Sequence, residues 1–215
     1  MKCISLAVLF IFISCSEEKQ IIRTNPTGTI IDSRDGHVYK TVMINNNWWM
    51  AENLNYGQAI DSFHGGSAED GKQSDNGIDE KYCYLNNDEN CLTYGGLYSW
   101  DEAMKHDSAN RPQGICPDGW HIPSEGELGE LLFRYPSCPE LRVGGTSGFD
   151  AMLGGNSFPP AYANLNELGL FWGSSSTGGY AAWYILVNKS SGNAIIQLEA
   201  TQRAFSIRCI KNPEK

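Results

Sequence analysis

Apolar and polar residues alternate along two stretches of this chain, one near each end. A period of two marks a strand with one buried face. The first stretch covers residues 29–31 and 38–44, joined by the turn sequence Asp32-Ser33-Arg34-Asp35-Gly36, and predicts a β-hairpin. A second turn, Asn45-Asn46-Asn47, leads into Trp48-Trp49-Met50. Adjacent tryptophans on a strand point to opposite faces, so one is expected in the core and the other under a loop, with a ligand platform as the alternative. The C-terminal stretch predicts strands at 169–175, 181–187 and 194–198, the last two forming a hairpin about a turn at 188–193. A closing strand at 204–210 should bury Phe205, Ile207 and Cys209 on one face.

Helical spacing occurs twice between these stretches. Leu97, Trp100, Ala103 and Met104 share one face and predict a short helix over residues 97–105. Cys116-Pro117-Asp118-Gly119 reads as a turn and residues 120–123 as an extended lead-in. Ser124 and Glu127 then have capping-box spacing, and Leu128, Leu131, Leu132 and Tyr135 form a buried stripe that Pro136 ends. Gly126 and Gly129 weaken this helix by roughly 1 kcal/mol each relative to Ala, so it depends on packing. His121, with no Cys or Ser partner at a recognisable spacing, is read as structural. Residues 136–171 read as a glycine-rich loop region with a short strand near Phe149 and a turn at Gly154-Gly155. The prolines at 159 and 160 keep 158–162 out of any central strand, because each lacks a ladder donor.

Residues 57–81 read as a long polar surface loop. Its acids, Asp61, Glu69, Asp70, Asp75, Asp79 and Glu80, raise the question of calcium, which takes clustered oxygens. Their spacing does not match an EF-hand loop, and a solvated acidic loop is the simpler expectation. No metal and no cofactor is expected.

The leader changes the picture of location. Lys2 precedes an apolar run of about ten residues, too short for a bilayer span of roughly 20 and suited to a signal segment. Phe12-Ile13-Ser14-Cys15 resembles a bacterial lipobox, with Phe12 where Leu is usual. Residues 1–14 are therefore expected to be a cleaved signal peptide, Cys15 the lipidated N-terminus, and residues 15–28 a polar tether. The formal charge is −9, and losing Lys2 with the leader makes it −10. Such an acidic chain without a basic cluster argues against a nucleic-acid partner. Glycine is plentiful, with 23 residues, which suits a loop-rich and strand-leaning fold.

Of seven cysteines, Cys3 leaves with the leader and Cys15 carries lipid, leaving five. Five in an oxidising compartment suggest two disulfides and one spare thiol, with fifteen ways to arrange them. A bridge between Cys83 and Cys91 would close a small Asn/Asp turn and is the natural local pairing.

Four ordered blocks resemble the Fibrobacter succinogenes major paralogous domain family. They are Asp35-Gly36 and Tyr39-Lys40-Thr41-Val42 with Trp49-Met50-Ala51-Glu52-Asn53-Leu54-Asn55-Tyr56; Tyr94-Gly95 with Leu97-Tyr98-Ser99-Trp100; Cys116 to Ser124; and Phe171-Trp172-Gly173-Ser174-Ser175 with Phe205-Ser206-Ile207-Arg208-Cys209. The resemblance implies a domain over 29–211, with 212–215 as a tail, in secreted proteins and lipoproteins. More distantly the arrangement is similar to the C-type-lectin-like fold, an α+β class. That similarity implies paired N- and C-terminal strands, two short helices, small mixed or antiparallel sheets and a long loop region that carries binding. It also implies a bridge from Cys116 to Cys209, leaving Cys138 spare. The calcium–sugar motifs Glu-Pro-Asn and Trp-Asn-Asp of lectins are absent, and so are the paired active-site cysteines of the formylglycine-generating relatives.

These readings lead to a surface- or outer-membrane-anchored lipoprotein, facing the periplasm or the cell exterior, with a non-catalytic binding or adhesion module. Its expected partners are a glycan or a cell-envelope protein, and the membrane through the lipid. Tyr162, Trp172, Tyr180 and Tyr184 lie in or beside the expected loop region and are the candidate sugar-stacking residues; the alternative is that most of these rings are core, with Trp172 and Trp183 expected there. A structural envelope component is the alternative, and a carbohydrate-active enzyme a weaker one, since no pair of acids is marked out as glycosidase carboxylates.

Overall fold

The computed structural model describes residues 25–62, 71–105 and 113–214. The leader, Cys15, the first part of the tether, and the acids Glu69 and Asp70 lie outside the described residues.

The N-terminal strands β1 (Thr27–Ile31), β2 (Val38–Ile44) and β3 (Asn47–Met50) form an antiparallel meander. The short β4 (Gln58–Ala59) and β5 (Glu80–Lys81) pair in parallel. A single 3-10 turn at Tyr84–Asn86 leads to α1 (Asp88–Tyr94), followed by β6 (Tyr98–Ser99) and α2 (Trp100–Ala103). Next come β7 (Trp120–His121), α3 (Glu125–Arg134) and α4 (Cys138–Leu141). The remaining strands are β8 (Asn156–Phe158), β9 (Ala161–Ala163), β10 (Leu168–Thr177), β11 (Ala181–Asn188), β12 (Ala194–Ala200), β13 (Ala204–Phe205) and β14 (Ile210–Lys211). The fold is thus mixed α/β, with several small, mainly antiparallel sheets and few short helices. Its largest sheet has the order β1-β2-β3-β14-β7, so a strand from the end of the chain sits beside the N-terminal meander. The others have the orders β10-β11-β12 and β6-β13-β8-β9.

Alternate residues of the longer strands feed two core clusters. Met50, Leu170, Trp172 and Tyr184 join one, while Trp49, Phe171 and Ile185 join the other. Trp48 and Trp49 do point apart: Trp49 is buried edge-on to Phe149, and Trp48 is half-buried on the opposite face. Trp183, expected in the core, is half-buried. The helix α3 carries the complete capping box, with Ser124 Oγ accepting from Glu127 N and the Glu127 carboxylate accepting from Ser124 N. Leu128, Leu131 and Tyr135 are buried, whereas Leu132 is only half-buried.

Three local expectations are corrected. The stretch 97–105 is not one helix: Tyr98 and Ser99 pair with β13, and only Trp100–Ala103 is helical. The stretch between Cys83 and Cys91 is not a simple turn, because Asn87 caps α1 by accepting from Glu89 N. The closing strand is not continuous. Its two halves, β13 and β14, belong to different sheets, and Ser206 and Arg208 are as buried as Phe205, Ile207 and Cys209.

Between those halves lies the element that joins the ends of the domain. Met50 N donates to Cys209 O and Leu54 N to Ile207 O. The fully buried Arg208 donates to Asn53 Oδ1 (2.7 Å), to Met50 O (3.1 Å) and Asp150 O (2.8 Å), and to Phe149 O. Its guanidinium also lies 4.7 Å from the Phe149 ring centroid. Burial pulls its pKa down to about 9, still high enough to keep it charged at neutral pH. The Asn53 amide completes the knot by donating to Tyr94 O and Ser206 Oγ. Gly95 is required there: its φ is +76°, and a Cβ would come within 2.6 Å of Asn53 Cβ.

Candidate functional site

Two disulfides close this frame. Cys83–Cys91 spans 8 positions and staples α1 to the preceding turn, while Cys116–Cys209 spans 93 and ties the turn before β7 to the last strand. Cys138 is free and buried on α4, and burial raises its thiol pKa.

The four candidate sugar-stacking aromatics separate. Trp172 is fully buried, stacks on Phe205 at 4.2 Å and donates its indole N–H to Tyr98 O. Tyr184 is buried against Trp172 and Phe205, with its hydroxyl on Gln197 Oε1. Both are corrected to core residues, because a ring packed on both sides has no face left for a ligand. Tyr162 is half-buried, packs against Tyr84 at 5.2 Å and donates its hydroxyl to Asn86 Oδ1. Tyr180 is 84% exposed at the β10–β11 turn, and its carbonyl accepts from Thr201 N.

Beyond Thr201 opens a cleft of about 430 Å³, lined among others by Lys72, Gln73, Ser99, Asp101, Phe158 and Gln202. Its floor is rigid. The Gln73 side chain donates to Leu97 O (3.0 Å) and accepts from Ser99 N (2.6 Å), and Gln73 N donates to the Tyr82 hydroxyl. That hydroxyl donates onward to Gly71 O, and its burial raises its pKa above the usual phenol range. The polar loop of the sequence reading is therefore anchored at this end by a buried glutamine. Phe158, at the β8–β9 turn, is 49% exposed, and Arg203 lies 4.7 Å from its ring centroid. Phe158, Gln73, Asp101 and Gln202 were missed as site residues. The available signal was the Pro159-Pro160 pair, which forces Phe158 to a turn instead of a central strand.

Two of the described acids of residues 57–81 have structural partners. Asp79 pairs with Lys105 at 2.9 Å, and the buried Glu80 accepts from Ser74 N and Asn76 Nδ2. Among the described residues, no three His, Cys, Asp or Glu side chains gather as a metal site. His121 is held between Asn212 Oδ1 (2.7 Å from Nδ1) and Glu127 Oε1 (3.0 Å from Nε2). Burial opposes its charge, but the Glu127 carboxylate and Asn212 outweigh that and raise its pKa. Hydrogen bonds from His121 and Ser124 hold Glu127 down to about 2 despite its partial burial.

A family model described as the Fibrobacter succinogenes major domain matches residues 42–211. The chain belongs to that family. The matched span holds both disulfides, Arg208 and the Phe158 cleft, and excludes only β1 and the start of β2 from the largest sheet. No curated protein and no solved structure matches the chain. No helix among the described residues is long and apolar enough to cross a membrane.

Proposed function

We propose that the protein is a non-catalytic glycan-binding module of the cell envelope, and that the Phe158 cleft is its binding site. The half-exposed Phe158 ring beside that cleft carries the reading. An aromatic face covers the C–H face of a sugar ring, while side-chain amides and carboxylates bond its hydroxyls. Gln202 and Asp101 are exposed and line the cleft, and Tyr180 is an exposed ring whose carbonyl accepts from Thr201 N, next to Gln202. Lipid attachment at Cys15 would tether the domain to the outer membrane and display the cleft. A C-type-lectin-like arrangement fits this assignment, since β14 joins the N-terminal meander and Cys116–Cys209 secures the loops.

The full chain, labelled and applied to a glycan array, should bind a restricted set of glycans. Phe158→Ala should weaken that binding roughly tenfold, the loss of one aromatic contact. No binding to any glycan would overturn the reading.

A further inference from the structure

All five strands of the largest sheet contribute to a groove of about 290 Å³ on one of its faces. Gly28, Thr29 and Ile30 come from β1, Thr41 from β2, Trp48 from β3, Lys211 from β14 and Trp120 from β7. Trp48 is half-buried and packs against the edge of the first core cluster, and Trp120, buried in that cluster, is paired in register with Lys211.

The groove exists because β1 carries a glycine at its second position. Gly28 lies in a strand without a positive φ, so backbone conformation does not demand glycine there. Space does: a Cβ would stand 3.1 Å from Thr41 Oγ1 and 3.5 Å from Trp48 Cζ3. A strand glycine of this kind marks a close approach by a ring, a backbone or a ligand. Here the Trp48 ring covers it on one side, and any branched side chain would occupy the groove.

We propose that this groove is a second sugar-binding site, taking a neutral pyranose chain across the sheet. The inference rests on the reading of the domain as a glycan-binding module, but uses a different sheet from the Phe158 cleft. The half-buried Trp48 supplies apolar ring surface over a wall that includes the buried Trp120, while the Lys211 ammonium supplies hydrogen-bond donors for hydroxyls. Lys211 is also held by Glu214 at 3.2 Å, so its charge is locally balanced. With a chain charge of −9, polyanionic sugars are repelled and neutral ones are not.

The test is ¹⁹F NMR of the full chain labelled with 5-fluorotryptophan, with the Trp48 signal assigned by Trp48→Phe. Cellohexaose, xylohexaose, mannohexaose and hexagalacturonate are titrated in turn. A neutral hexaose should shift the Trp48 signal saturably, with hexagalacturonate roughly tenfold weaker. Gly28→Val should abolish the shift by filling the groove, and Lys211→Ala, at a half-buried position, should weaken it several-fold. Phe158→Ala should leave it unchanged. If the array shows binding that Phe158→Ala removes while Trp48 does not respond to any neutral hexaose, this proposal falls and the cleft reading stands. A response to hexagalacturonate equal to that of the neutral hexaoses, or one unaltered by both Gly28→Val and Lys211→Ala, also overturns it. Absence of binding in both experiments overturns both readings.

Discussion

The two disulfides of this domain do different work. Cys83–Cys91 closes a loop of 8 positions whose helix is already capped by Asn87, so it reinforces structure that forms locally. Cys116–Cys209 closes 93 positions and lies beside Arg208, which bonds to chain segments near residues 50, 53 and 149. The first stabilises one wall of the molecule; the second ties the middle of the chain to the C-terminal segment that meets the N-terminal sheet. The comparison teaches that the exposed loops and clefts here hang on a frame joined at few, distant points. Loss of the frame is therefore expected to cost far more than loss of the staple.

That difference can be broken directly. Replacing both Cys116 and Cys209 by Ser should cost about 4.5 kcal/mol by the chain-entropy relation, against about 2.5 for the Cys83/Cys91 pair. Chemical denaturation of the two double variants checks this, and equal losses would dissolve the contrast. Arg208→Met removes the guanidinium and leaves buried carbonyls at Met50 and Phe149 without their donors. Roughly 4 kcal/mol should be lost, in the range for breaking a buried charged network. A loss under about 1 kcal/mol, inside the range of an ordinary surface substitution, would show that water or backbone shifts replace it.

The smallest effect lies just after the Cys116 turn, where His121 and Glu127 pair to form a small clasp at the start of α3. The folded state raises the His121 pKa, so its contribution is complete below its unfolded pKa and disappears as pH rises through the folded value. Glu127 is held down to about 2, so its contribution is complete above its ordinary value and disappears as pH falls through about 2. His121→Gln should flatten the alkaline decline in Tm by the equivalent of under about 1 kcal/mol, since both groups retain some solvent. Parallel Tm curves for the two proteins from pH 5 to 9 would remove His121 from the clasp.

Much of the fold was legible because its signals are local. The β2 alternation, the C-terminal meander and the Ser124–Glu127 capping box each depend on residues close in sequence. The Cys83–Cys91 bridge could be anticipated from its spacing, whereas Cys116–Cys209 followed only from a family resemblance. Sequence also revealed that Trp48 and Trp49 must part. Which of them faces the groove depended on how β3 meets β14 and the core.

The candidate site was far less legible. Trp172 and Tyr184 looked available because aromatic residues in a glycine-rich region can be either displayed or packed. The pairing of β10 with β11, and the Phe205 ring between them, decided for packing. Phe158, Gln73 and Gln202 lie far apart in sequence and meet only where the turn between β12 and β13 approaches the β8–β9 hairpin. Local patterning determined the strands, the caps, the acidic surface and the expected leader. Tertiary structure alone decided which rings are buried, why Arg208 can be charged in the core, and where a cleft opens. Those depend on distant backbone segments meeting, and no period along the chain records that meeting.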